Sequence, residues 1–287
     1  FSKVMEQFVV EWLFKIIKDK IDFRQYGGLK GNSVTHYLNE LVNFILYNQD
    51  SKDPTAVLAC LVDFSKAFNR QDHSILITKL CDMEVPGWLL KLVIAFLQDR
   101  KMILKYKNER SNTKSMPGGG PQGTLLGLFL FLILINDLGF ENQDPDVAET
   151  ITGKHDNDKM NELHLKYIDD LTLAESISMK SQLDKLPPEV RPQPDTYHER
   201  TGHILMPENS KVFEMFRKTE EYAEENRMKI NFDKTKLMVF NPGISRDFMP
   251  RFNFNGEELE VVEETKLLGV ILRSDLSWKS NTNYMVK

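Results

Sequence analysis

Three aspartates stand where short apolar stretches end. Asp63 lies at the close of residues 56–64 (AVLACLVDF), and Asp169-Asp170 separates residues 163–167 from residues 171–174. Ionised carboxylates held against buried strands cost free energy unless a partner compensates them. A pair of hard divalent cations is such a partner, because Mg²⁺ prefers oxygen ligands and bridges carboxylates to phosphates. Two such ions activate an attacking hydroxyl and steady the leaving oxygen of an in-line phosphoryl transfer. On spacing alone the plainer reading, ordinary turn or capping aspartates, stays open. No histidine falls at metal-ligand spacing with Cys60 or Cys81, so no zinc site is expected, and no Ser/His/Asp set presents itself.

The elements that must position these acids follow from periodicity. Residues 1–22 and 33–47 carry apolar side chains at helical spacing, with a glycine-containing break at Gly27, Gly28 and Gly31 between them. Residues 56–64 read as a buried strand. Asp72 is placed to cap a helix carrying Ile75, Leu76 and Leu80, and Pro86-Gly87 opens another. Residues 101–106 and 112–116 predict a hairpin around 108–111, residues 118–121 a loop, and Thr124 the start of a buried helix. Residues 163–174 predict a β-hairpin with the two acids at its tip. Asn209 is the expected cap of a helix running to Met228. Residues 229–241 predict strand-turn-strand, and residues 252–254, 259–262 and 266–273 further short strands.

Composition narrows the class. The chain has 287 residues, 41% hydrophobic and 28% charged, enough for a substantial core and unlike collagen or low-complexity sequence. The two cysteines, both in apolar contexts, predict reduced thiols in an intracellular protein. The longest apolar run, residues 125–135, is too short for a membrane span, so no membrane partner is expected. Phe1 is not an initiator methionine, and the chain is read as a piece of something longer. The net charge of −5 matches the excess of acids in residues 139–162 alone, whereas residues 100–114 hold six basic residues and one acid. Local patterning therefore outweighs the global sum, and the basic hairpin is suited to a phosphate backbone, with Tyr106 as a stacking surface, although a plain solvated face fits too. Trp88 and Trp278 are expected in the core or an interface.

Five blocks then occur in one order: LVDFSKAFNRQDHSILITKL (61–80), PGGGPQGTLLGLFLFLILINDL (117–138), YIDDLTLAE (167–175), NFDKTKLMVF (231–240) and KLLGVILRSDLSW (266–278). This series resembles the reverse transcriptase family, most closely its non-LTR retrotransposon (LINE-like) branch, over nearly the whole chain. The resemblance implies that Asp63, Asp169 and Asp170 hold two Mg²⁺ ions (Mn²⁺ a substitute), with the backbone carbonyl of Phe64 as a further ligand. Phe68 then lies under the sugar of the incoming nucleotide and excludes a ribose 2′-hydroxyl, though a core-filling aromatic fits as well. Gln122 and Gly123 match the turn against nucleotide and template; without them, residues 118–120 would read as a flexible connector. Lys234 matches the lysine near the pyrophosphate side, or else is a solvated strand-end lysine. Leu268-Gly269 matches the hairpin that grips the primer end. Lys30 and Arg24, in a segment similar to the family's QFGFRKGRS but with Gly28-Leu29 in place of Phe-Arg, are candidates to hold triphosphate. Asn69 stands where most relatives carry a second aspartate.

The implied fold is α+β, a right-hand polymerase with an antiparallel-sheet palm backed by helices. Residues 1–55 and 72–121 are assigned to fingers, and 56–71 and 122–273 to palm, with insertions at 139–162 and 183–207. Residues 274–287 are the start of a truncated thumb. The implied activity is RNA-directed DNA polymerisation, adding dNTPs to a DNA 3′-hydroxyl on an RNA template as part of a retrotransposon polyprotein. Its partners are an RNA template, a DNA primer and dNTPs, with an attached endonuclease domain outside this piece and a nuclear location for target-primed integration. Three rivals remain at this stage: a decayed, inactive nucleic-acid-binding domain, an RNA-dependent RNA polymerase, and a non-enzymatic interaction module using the acidic insertions.

Overall fold

The computed structural model describes residues 2–50, 55–116, 118–121, 123–140, 161–178, 210–240, 252–254 and 256–285. In chain order its elements are α1 (Ser2–Ile17), α2 (Val34–Gln49), β1 (Thr55–Asp63), α3 (His73–Asp82), α4 (Gly87–Leu97), β2 (Lys101–Met102), β3 (Lys105–Tyr106), β4 (Glu109–Arg110), β5 (Lys114–Ser115) and α5 (Leu125–Leu134). There follow β6 (Glu162–Tyr167), β7 (Asp170–Ser178), α6 (Lys211–Glu225), β8 (Lys236–Phe240), β9 (Phe252–Phe254), β10 (Glu257–Val261), β11 (Glu264–Leu267), β12 (Val270–Arg273) and α7 (Lys279–Met285). Short 3₁₀ turns span Lys18–Lys20 and Ala67–Arg70.

Strand β1 organises the chain. Residues 56–62 are all buried, which requires cover on both faces of the sheet. Alternation divides them. Ala56, Leu58, Cys60 and Val62 pack into one core with Leu13 of α1, Leu80 of α3, Val93 of α4, Leu130 of α5 and Phe216 of α6. Val57, Ala59 and Leu61 pack into a second core with Tyr37, Leu41, Phe44 and Ile45 of α2. Each fully buried Leu, Val or Phe stabilises by roughly 1.5–3 kcal/mol. The sheet order is β6-β7-β1-β8-β10-β9. Every pairing is antiparallel except β8 with β10, which is parallel, so the sheet departs from the uniformly antiparallel expectation at that one seam.

The helix starts follow from their caps. Ser33 accepts from the His36 amide, Asp72 from Ser74 and Ile75, and Thr124 from Gly127. The cap of α6 is Ser210, one residue beyond the expected Asn209, which lies outside the described residues. The buried Glu175 carboxylate meets the same helix start, accepting from the Lys211 amide at 2.7 Å and from the Ser210 hydroxyl. Helix α5 is buried on nearly every side, and two lysines satisfy the carbonyls at its carboxyl end. Lys79 donates to Leu134 at 2.9 Å. Lys166, 1% exposed, donates to Ile135, Asn136 and Leu138 and pairs with Asp22 at 2.6 Å.

Other expectations change in detail. The basic hairpin forms two short ladders, β2 with β5 and β3 with β4, and turns at residues 107–108, not 108–111. Residues 266–273 fold back as the hairpin β11–β12 in place of one strand. In the 229–241 segment only β8 is a full strand, and Ile230 makes a single bridge to Phe64. Trp88 and Trp278 are 54% and 65% exposed, so neither lies in the core, and Cys81 is exposed while Cys60 is buried. Most of the expected insertions, residues 141–160 and 183–207, lie outside the described residues. No described helix is long and apolar enough to cross a membrane.

Candidate active site

The ladder between β1 and β7 runs unbroken from Thr55↔Ser178 to Asp63↔Asp170 and ends on the two acids. The Asp63 carbonyl accepts from the Asn231 amide at 2.8 Å and its amide faces the Thr235 hydroxyl at 3.3 Å, both on the β8 side. Asp63 and Asp170 are therefore a non-hydrogen-bonded pair, whose Cα atoms approach to about 4.5 Å with side chains on one face. That face is the one that carries α2. Beyond Asp63 the alternation reverses, so the amide and carbonyl of Phe64 turn toward the β7 side, where the acidic hairpin lies.

Asp169 belongs to the two-residue turn Ile168–Asp169 that joins β6 to β7. Asp170 is the first residue of β7, one position inside the expected tip. Ile168 adopts φ +60°, a left-handed conformation that a β-branched residue rarely occupies and that costs on the order of 1–3 kcal/mol. Burial raises the Asp169 carboxyl above its usual range, with Asp63 adding to the rise and Lys234 opposing it. Asp170 is pushed up to about 6 by burial first, then by Asp169 and Asp63. Like charges crowded at a half-buried edge produce such shifts.

A cleft of about 320 Å³ opens over the pair, lined by Asp63, Asp170, Asp233, Lys234, Lys266 and Leu267 among others. Lys234 is exposed in the turn of residues 231–235. Lys236 is tied to Glu260 at 2.5 Å and Lys266 to the Tyr284 hydroxyl at 3.0 Å. Leu268 and Gly269, at φ +49° and +88°, form the turn of β11–β12, and β11 supplies Thr265–Leu267 to the cleft wall.

Phe68 is half-buried, its ring stacked on Phe131 at 4.9 Å between centroids, so it is backed by α5 without being enclosed. Residues 118–120 are not a free connector. Gly120 donates to the Phe68 carbonyl at 2.7 Å, Gly119 donates to Gln71 at 2.9 Å, and a Cβ on Gly119, at φ +83°, would meet the Asn69 carbonyl at 3.0 Å. Gly123 has φ +82° and open space around it, while Gln122 lies outside the described residues.

Lys30 is exposed on the loop after Gly28, and no described contact ties it to the aspartates. Arg24 is engaged elsewhere: it lies over the Phe23 ring at 4.4 Å and meets His164 Nε2 at 3.1 Å. Sequence reasoning overlooked Asn231 and Thr235, which clasp the backbone of Asp63, although both stand within the quoted NFDKT block. It also overlooked Gln25, whose side chain reaches the Ile168 amide.

Among the described residues, no three acidic, histidine or cysteine side chains converge on one ligating point. The donor set nevertheless fits hard divalent ions, since Asp63, Asp169 and Asp170 are carboxylates that repel one another and offer only oxygen. What they share is one edge of the sheet and one charge problem.

A model of the family described as "Reverse transcriptase (RNA-dependent DNA polymerase)" matches residues 1–193. The RNA-directed DNA polymerase from mobile element jockey of Drosophila funebris is 26% identical over 256 residues, covering 89% of this chain and 24% of that protein. The probable RNA-directed DNA polymerase from transposon BS of Drosophila melanogaster is 27% identical over 177 residues, covering 61% of this chain and 18% of that protein. The chain thus spans less than a quarter of either relative. Among solved structures, an apo telomerase from Candida tropicalis, truncated from its C-terminal domain, superposes with a TM-score of 0.52 at 10% identity, covering 96% of this chain and 45% of that one. A telomerase from the same organism in complex with the TWJ fragment of telomeric RNA gives 0.52 at 13% identity, covering 96% and 36%. These likenesses show the right-hand polymerase fold, α+β with its acidic edge on a central, mostly antiparallel sheet, and the match across two thirds of the sequence places this chain in the reverse transcriptase (RNA-dependent DNA polymerase) family.

Proposed function

We propose that this chain is the polymerising part of an RNA-directed DNA polymerase, extending a DNA primer on an RNA template with dNTPs. The observation that carries the reading is Asp63 standing opposite Asp170 with Asp169 at the adjoining turn, in a chain of this family. Asp63, Asp169 and Asp170, with the Phe64 carbonyl, would hold the divalent ions on which polymerases of this family act, Mg²⁺ by choice with Mn²⁺ as a substitute. When bound, such ions acidify the primer 3′-hydroxyl and stabilise the charge of the transferring phosphate. The protein's own share is positional. β1 and β7 present the carboxylates, Lys234 offers a donor to the departing pyrophosphate, and Phe68 braced on Phe131 sets the floor beneath the sugar.

Residues of the 1–55 and 72–121 segments serve as fingers and 56–71 and 122–273 as palm, with the thumb beginning at 274. The exposed hairpin carrying Lys101, Lys105, Lys107, Arg110 and Lys114 suits contact with a phosphate backbone, and the exposed Tyr106 suits stacking. Gln122 and Gly123 lie against nucleotide and template, Lys30 serves the triphosphate, and Leu268-Gly269 supports the primer end. An endonuclease domain in the longer protein and nuclear integration complete the proposal.

The test is primer extension on an RNA template with Mg²⁺, comparing wild type with Asp63→Asn at matched circular dichroism. Product from the wild type and a loss of at least about 10³-fold in the variant are expected. A folded wild type, supplied with its flanking segments, that makes no product would favour an inactive nucleic-acid-binding domain.

A further inference from the structure

The acidic turn is held from outside the sheet. Residues 24–26 run beside β6 in parallel: Tyr26 donates to the Lys166 carbonyl at 2.8 Å, and the Lys166 amide donates to Arg24 at 3.0 Å. Between them Gln25 is 2% exposed. Its Oε1 accepts from its own loop, the Gly27 amide at 2.9 Å, and from the turn, the Ile168 amide at 3.0 Å. Two donated protons fix which end of the amide is oxygen. Among the described residues its Nε2 finds no partner, so the side chain is buried for what its oxygen does.

The loop backbone also rides directly on the turn. A Cβ at Gly27 would lie 2.6 Å from Ile168 Cγ1 and 2.7 Å from the Ile168 nitrogen. On the other side, a Cβ at Gly28 would lie 2.9 Å from Leu132 Cδ1, and that residue holds φ +71°. The loop is therefore wedged between the acidic turn and α5. Its upstream end is anchored as well, since Asp22 pairs with Lys166 and its amide donates to Asn136 Oδ1 at 2.9 Å.

We propose that Gln25 is a positioning residue, whose oxygen holds the strained Ile168 amide and so fixes where Asp169 stands relative to Asp63. Ile168 has φ +60° and its amide points away from β7, so the β-ladder alone does not satisfy that turn. Removing the acceptor leaves a part-buried amide unpaired and frees the turn to rotate, while β1 and β7 stay zipped. The inference rests on the proposed role of the three aspartates and adds the residue that sets their spacing.

The experiment compares wild type with Gln25→Met, similar in length but without the acceptor. Amide hydrogen exchange reads the clamp without any need for activity. In wild type the Ile168 amide should exchange as slowly as those of β6. In Gln25→Met it should speed up at least tenfold while β1 amides are unchanged. In primer extension the variant should need severalfold more Mg²⁺ for half-maximal rate and lose kcat with little change in KM for dNTP. The proposal is overturned by a wild-type Ile168 amide that exchanges like an open loop. It is overturned equally by a variant whose Ile168 exchange is unchanged, or one in which Ile168 and β1 loosen together. A wild type that protects Ile168 yet makes no product removes the polymerase reading and leaves the clamp standing.

Discussion

Replacing Asp170 by asparagine should stabilise the metal-free protein at neutral pH. In the unfolded chain this carboxyl titrates near 3.8, whereas in the fold it is pushed up to about 6 by burial, Asp169 and Asp63. Between pH 4 and 6 the unfolded state has released a proton that the folded state still binds, so stability falls as pH rises through that window. Above it the loss is complete. A rise from 3.8 to about 6 corresponds to roughly 3 kcal/mol. Because Asp170 lies at the lip of a cleft, solvent screens part of this, and about 1.5 kcal/mol is a fair expectation. The groups facing it are Asp63, Asp169 and, from α2, Tyr37, whose own proton is held more tightly by burial and by Asp170. For a chain of this size the gain is about 2–3 °C in Tm. Thermal melts with chelator at pH 4.5, 6 and 7.5 provide the assay. Asp170→Asn should melt higher at pH 7.5, the gap should close toward pH 4.5, and millimolar Mg²⁺ should narrow it by binding ionised wild type. Equal melting at pH 7.5, or a gap indifferent to pH, would refute the electrostatic account.

Two further changes probe separate links. Phe68→Val keeps a side chain against Phe131 but shortens the floor proposed to lie beneath the sugar, so discrimination against ribonucleotides should drop at least tenfold in competition assays; unchanged discrimination removes that role from Phe68. Lys166→Met leaves the Asp22 carboxylate and the carbonyls of Ile135, Asn136 and Leu138 without their cation, which should cost about 3–5 kcal/mol in urea denaturation. A loss below about 1 kcal/mol would mean that water replaces the ammonium.

Much of the scaffold was legible because its signals are local. Continuous burial of β1 and α5 follows from their unbroken apolar runs, and Asp72 sits at its helix start as a capping residue should. The hairpin at Leu268-Gly269 was legible only through the family pattern, because a leucine at φ +49° carries no Asn-Gly or Asp-Gly signature. What sequence could not supply is pairing between distant segments. The parallel seam of β8 with β10, the meeting of Lys79 and Lys166 at one helix end, and the reach of Gln25 to Ile168 each join residues far apart in the chain. Trp88 is placed by such a contact too: its ring edges Trp12 of α1 while staying exposed.

The nine-pair ladder of β1 with β7 also works as a ruler read from one end. Adding or deleting a single residue inside either strand would send one carboxylate through the sheet to the opposite side, and no repacking elsewhere restores it. The ladder's other limit, Thr55 with Ser178, stands eight rungs from the acids. An engineer seeking a place to splice a tag or a sensor into this protein should therefore leave these two strands untouched.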